Sequence, residues 1–160
     1  MRQKRRLPET QLFTYSEGMN EGERWEIING LDEELLKGGV ILSEWCTFIV
    51  READLAFVKG ANLASILTAT AGIETYLRSE YAQTQKERFC DLIDMARLDL
   101  QLTETLHQLR KYRNKWVHVS DPWNDTEILE HPEQYEQELE EMALLAARTL
   151  RQILYENQWV

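Results

Sequence analysis

The sequence has little cysteine and lacks the signatures of several common sites. Its two cysteines, Cys46 and Cys90, each lie in an apolar-periodic segment, where a free thiol usually behaves as a small buried hydrophobe. Two such cysteines make no disulfide framework and predict a reducing, cytoplasmic setting. No CxxC, no HExxH and no cluster of His and Cys occurs, so we expect no metal site. The absence of GxGxxG and GxxxxGK[ST] argues against a Gly-rich phosphate loop, and we expect no cofactor.

Long apolar runs are also missing. No stretch approaches the roughly 18 consecutive apolar residues that read as a membrane span, so we expect no membrane segment. The start, MRQKRRLPET, is basic, but no apolar segment follows it, which argues against a secretory signal. This basic start is interpreted either as a solvated chain end or as an arm that contacts an anionic partner.

What is present fits one soluble domain. The chain has 160 residues, 43% hydrophobic and 29% charged, which is typical of a single globular unit. Residues 1–30 are polar and punctuated by glycine, and we interpret them as an N-terminal extension that is disordered or holds one short strand at RWEIIN. Residues 31–160 are predicted to form a single helical domain.

Apolar residues recur with a period near 3.6 through most of this domain, which is typical of helices packed in a bundle. A strand over residues 40–50 remains an alternative, because short apolar runs are ambiguous. Asp121-Pro122 ends the penultimate long helix, and Pro132 suits the first turn of the last one. The pattern predicts an all-α bundle of four to five helices, over residues 40–58, 61–82, 87–98, 100–120 and from Pro132 onward.

Charge is unevenly distributed along the chain. The net charge is -10, which counts against a general nucleic-acid coat protein. Residues 105–120 nevertheless contain four cations and no acid, and residues 121–141 contain nine acids and no lysine or arginine. The sequence therefore allows a local basic site in an acidic body. The acidic run is either a solvated loop and helix start, or a shield that mimics RNA.

The basic segment contains Arg113, Asn114 and His118. Asn114 and His118 are four residues apart and share a helix face, whereas Arg113 and His118 converge only if the helix ends near His118. Histidine moves protons near neutral pH, and arginine binds phosphate through its planar fork. Asparagine can orient the histidine or hydrogen-bond a phosphate oxygen. The same residue types would also occur in a purely structural arrangement, in which the histidine caps the helix and the arginine pairs with a neighbouring carboxylate.

The segment LHQLRKYRNKWVHVSDP resembles the signature of HEPN domains, a superfamily of helical nucleotide-binding and RNA-cleaving domains. The motif is an arginine, a polar residue and, after a short spacing, a histidine at a helix end, and the resemblance covers about residues 40–158. It implies a HEPN-like fold and a metal-independent endoribonuclease, commonly a homodimer whose two motifs form one cleft. Arg113, Asn114 and His118 would then be catalytic, and Glu74 would pair with Arg113 and hold it in place.

Five further residues of the segment are candidates for RNA binding. Cations can contact phosphates, and aromatic rings can stack on bases; the candidates are Arg110, Lys111, Lys115, Tyr112 and Trp116. The resemblance also suggests a toxin–antitoxin or defence context, with an antitoxin or another protein as partner. The alternative is a non-catalytic helical module that binds a protein, a nucleotide or RNA.

Overall fold

The computed structural model describes residues 18–84, 86–123 and 127–159. Within these ranges the chain is helical and contains no strand, apart from one isolated backbone bridge between Gly39 and Trp159. The helices are α1 (Glu21–Leu35), α2 (Glu44–Val58), α3 (Asn62–Tyr81), α4 (Phe89–Met95), α5 (Leu100–Val117), α6 (Glu127–Glu130) and α7 (Pro132–Leu154).

Helix α1 corrects the interpretation of residues 1–30. The segment RWEIIN is helical, so the strand predicted there is wrong. A capping box starts the helix, because the Asn20 side chain accepts from the Glu23 N–H at 3.0 Å and the Glu23 carboxylate accepts from the Asn20 N–H at 2.8 Å. Ile28 and Leu31 are buried in the common core. The domain boundary predicted at residue 31 therefore falls inside a packed helix; residues 1–17 lie outside the described part.

The strand alternative for residues 40–50 is also wrong over most of its length. Ser43 caps α2 by accepting from the Cys46 N–H at 3.1 Å, and the helix runs from the next residue. Helices α3, α4, α5 and α7 lie within the predicted helical segments. Helix α6, a single turn in the acidic loop, had not been predicted. The described residues thus form seven helices where four to five were expected.

Helix α3 is central to the packing, since it contacts α2, α4, α5 and α7. Its buried residues Ile66, Ile73 and Leu77 belong to one hydrophobic core that also includes buried residues of α1, α2, α4, α5 and α7. The all-α bundle predicted from periodicity is confirmed. Every helix within the described ranges is too short or too polar to cross a membrane.

Candidate functional site at the end of α5

Arg113 lies near the end of α5 and faces α3 and α4. Its Nη1 donates to Glu74 Oε2 at 2.8 Å, and its guanidinium carbon lies 5.8 Å from the centre of the Phe89 ring. The side chain is 22% exposed. The ion pair expected between Glu74 and Arg113 is therefore present, and it fixes the guanidinium against the bundle.

Glu74 is shared by a second arginine that sequence reasoning missed. Arg78 Nη2 lies 3.1 Å from Glu74 Oε1, and Arg78 Nη1 donates to the Glu87 carbonyl at 2.9 Å. The spacing of four residues between Glu74 and Arg78 on a helix was the available signal. Two guanidinium groups around one carboxylate leave a formal charge of about +1, so this cluster of Arg78, Glu74 and Arg113 stays cationic.

His118 immediately follows the last residue of α5. Its backbone has left the helical conformation (φ -122°, ψ 54°), and its N–H donates to the Asn114 carbonyl at 3.0 Å. The helix therefore ends near His118, which is the condition stated above for the side chains of His118 and Arg113 to converge. The imidazole is exposed and forms no hydrogen bond or ion pair with any described residue.

Asn114 and two arginines retain unused hydrogen-bonding capacity. Asn114 Oδ1, Arg110 Nε and Arg113 Nε are buried and have no hydrogen-bond partner within the described ranges. Buried polar atoms are usually paired. Tyr112 Oη and Trp116 Nε1 are also buried without such a partner, so these atoms lie on both flanks of α5 within residues 110–116.

The opposite flank of α5 forms a cluster with α7. Tyr112, Trp116 and Tyr135 pack with ring centroids 6.3 Å apart in each successive pair. The ammonium of Lys115 lies 5.5, 5.5 and 5.0 Å from the three centroids and 3.2 Å from Glu138 Oε1. Burial raises the pKa of the Tyr112 hydroxyl to about 12. Three of the five residues predicted to bind RNA are therefore engaged with α7.

The two remaining RNA-binding candidates, Arg110 and Lys111, differ in exposure, and the two other histidines lie outside the candidate site. Lys111 is exposed, whereas Arg110 is partly buried. His107 lies 3.1 Å from Asp94 Oδ1, and His131 directly precedes α7. Sequence reasoning missed Tyr135 and Glu138 because their approach to α5 depends on how α7 packs.

Within the described residues, no group of three or more His, Cys, Asp or Glu side chains is arranged to hold a metal ion. No family model, curated protein or solved structure matches the chain. The class that the fold defines is accordingly an all-α helical bundle, in which a cationic cluster adjoins a helix end bearing an exposed histidine.

Proposed function

We propose that the chain is a metal-independent endoribonuclease of the HEPN type, with its active centre at the C-terminal end of α5. The observation that carries the proposal is the fixed guanidinium of Arg113. Glu74 holds it at 2.8 Å on one side, and Arg113 lies five residues before the exposed His118. A positioned arginine and an unpaired imidazole near the same helix end are residue types suited to phosphodiester transfer.

The reaction proposed is attack by an RNA 2′-hydroxyl oxygen on the adjacent phosphorus. The new bond is O2′–P, the bond that breaks is P–O5′, and the products carry a 2′,3′-cyclic phosphate and a 5′-hydroxyl. His118 would take the proton from O2′ or give one to O5′, and Arg113 would stabilise the charge on the non-bridging oxygens. Asn114, one helical turn before His118, would orient the imidazole or the phosphate.

One imidazole is poorly suited to be base and acid in the same step, so two copies of the motif are part of the proposal. A homodimer that joined two α5 ends would supply two histidines and two cationic clusters to one cleft. The buried, unpaired atoms of Arg110, Arg113 and Asn114 support a second surface or a ligand at this position. Lys111, which is exposed, would add a phosphate contact at the rim.

An RNA cleavage assay in EDTA tests the proposal. Wild-type protein is expected to cleave single-stranded or transfer RNA and to leave 2′,3′-cyclic phosphate ends. Arg113→Ala and His118→Ala are expected to lower the rate at least about a hundredfold, the usual contribution of one acid–base or charge-stabilising group. His107→Ala and Arg88→Ala are matched controls, because they remove the same residue types from other parts of the surface.

Equal cleavage by wild type and both site variants would show that a contaminant is responsible and would refute the proposal. Absence of any cleavage by the wild type on a broad RNA panel would favour the second candidate, a non-catalytic module that binds a partner. One observation supports that candidate: Arg113 is only 22% exposed and its charge is already paired. In that case His118→Ala would leave every measured property of the free protein unchanged.

A further inference from the structure

We propose that the outward face of α2 is a self-association surface, on which a second copy of the chain packs antiparallel about a twofold axis near Phe48. Three large apolar side chains define this face. Trp45 is 41% exposed and Phe48 is 55% exposed, while Ile41, just before the helix, is 85% exposed. Trp45 and Phe48 lie about 60° apart on the helix, and Ile41 lies in the irregular segment that precedes it; we call these three residues the α2 stripe. Exposed apolar patches of this kind mark interaction surfaces.

Nothing in the described part of the chain covers the α2 stripe. The opposite side of α2 is buried through Cys46, Ala53 and Phe57, and α2 packs on α1, α3 and α7. Gly39, two residues before Ile41, pairs with the exposed Trp159 through backbone hydrogen bonds of 2.7 and 2.9 Å. The surface is also separate from the α5 site, since α2 and α5 make no contact among the described residues.

The charges beside the stripe identify the occupant as another copy of the chain. On a helix that advances about 100° per residue, Glu44 and Arg51 lie on one side of Phe48, at about 40° and 60°. Trp45 and Glu52 lie on the other side at similar angles. Glu44, Arg51 and Glu52 form no ion pair with any described residue.

A twofold axis through Phe48 turns this arrangement into complementarity. It places Phe48 against its own copy and Arg51 against Glu44 of the second copy, because these residues lie three positions after and four positions before the axis. The distances of Arg51 and Glu44 from the axis differ by about 1.5 Å along the helix, which is the rise of one residue. Their long side chains can span this difference. The same axis brings Trp45 to Glu52 of the second copy. Twofold interfaces are self-complementary in this way. Because this face of α2 carries both acidic and basic side chains, a strongly acidic or strongly basic partner would not match it as well.

Sedimentation velocity over a concentration series tests the proposal. Wild-type protein is expected to self-associate, and Phe48→Asp is expected to weaken the association at least about tenfold. Glu44→Arg and Arg51→Glu, each alone, should weaken it several-fold at low salt by setting like charges opposite one another. The double variant should restore the wild-type constant to within about threefold. Glu104→Arg, an exposed reversal on α5, is the matched control and should change nothing.

A wild type that stays monomeric at every concentration would overturn the proposal, even if its α2 face bound some other protein. Self-association unaffected by Phe48→Asp would overturn it as well and would place the dimer elsewhere, for example at α5. Failure of the double reversal to restore association would exclude the antiparallel arrangement proposed. All the substituted residues are exposed, so circular dichroism should show each variant folded. A strictly monomeric wild type would also contradict the α5 homodimer proposed above, whereas Phe48→Asp tests the α2 surface alone, because α2 and α5 make no contact among the described residues.

Discussion

Glu74 shows what one side chain contributes to this fold and to its candidate site. It lies among alanine, glycine and isoleucine in the middle of α3, a position where a carboxylate needs a partner. The structure supplies two, Arg78 at 3.1 Å and Arg113 at 2.8 Å. The three side chains are about a quarter exposed, so solvent screens the pairing only in part.

Replacing Glu74 by glutamine is expected to destabilise the protein by about 1 kcal/mol, because two guanidinium groups lose their shared negative charge and face each other. Urea denaturation measures the change. Glu21→Gln is the matched control: its partner Lys59 and Glu21 itself are both more than half exposed, and the expected cost is below about 0.5 kcal/mol. Equal effects of the two variants would mean that Glu74 contributes no more than an ordinary surface charge.

At the scale of the helices, the close contact of α3 with its neighbours depends on Gly72. A Cβ added there would lie 2.6 Å from Ile49 Cγ2 on α2 and 3.3 Å from Leu150 Cδ1 on α7. The isoleucine branch is stiff about χ1 and has little room to move. Gly30 in α1 is a contrasting case, because a Cβ there would meet nothing within 4 Å.

Gly72→Ala is therefore expected to destabilise the protein by about 1 kcal/mol or more through overpacking. Gly30→Ala should stabilise it by about 0.5–1 kcal/mol, since alanine is the better helix former and has free space. Thermal unfolding followed by circular dichroism gives both shifts. Stabilisation by Gly72→Ala would show that α2 can move away from α3 at little cost.

At the scale of the whole molecule, one buried arginine joins three helices. Arg151 on α7 has no exposed side-chain surface. Its Nη1 and Nη2 donate to the two Asp54 carboxylate oxygens on α2 at 3.0 and 2.8 Å, and its Nε donates to Asp32 on α1 at 2.8 Å. Tyr155 also donates to Asp32 at 2.8 Å, and burial raises the pKa of the Tyr155 hydroxyl.

Arg151→Met is expected to cost about 3–5 kcal/mol, because it leaves the buried Asp54 carboxylate without its counter-charge. The double variant Arg151→Met with Asp54→Leu should recover most of the loss, since it removes both buried charges. Arg148→Met is the matched control. Arg148 joins two of these three helices, α7 and α1, through Glu34 at 2.6 and 2.8 Å, but on the surface, so a cost of about 1 kcal/mol or less is expected. Guanidinium denaturation of the four proteins checks this, and a loss for Arg151→Met no larger than that of Arg148→Met would contradict it.

The sequence by itself determined the helical class, four of the long helices and, to within three residues, the end of α5, which was predicted at residue 120 and lies at Val117. It could do so because apolar periodicity and proline act locally, within a few residues of each position. The same local character caused the error at RWEIIN, where the adjacent isoleucines suggested a strand. The spacing of Ile28 and Leu31 and the Asn20 cap favour a helix once the bundle is present to bury them.

Only the tertiary structure decided which side chains meet. Glu74 and Arg113 are 39 residues apart in sequence, and Arg151 and Asp32 are 119 apart; no local pattern encodes either distance. The pair at Glu74 was expected through a family resemblance, whereas Arg78, Tyr135, Glu138 and the Arg151 network became visible only in the packed bundle. Periodicity tells which face of a helix is apolar, but the neighbour on that face is set by how all the helices pack together.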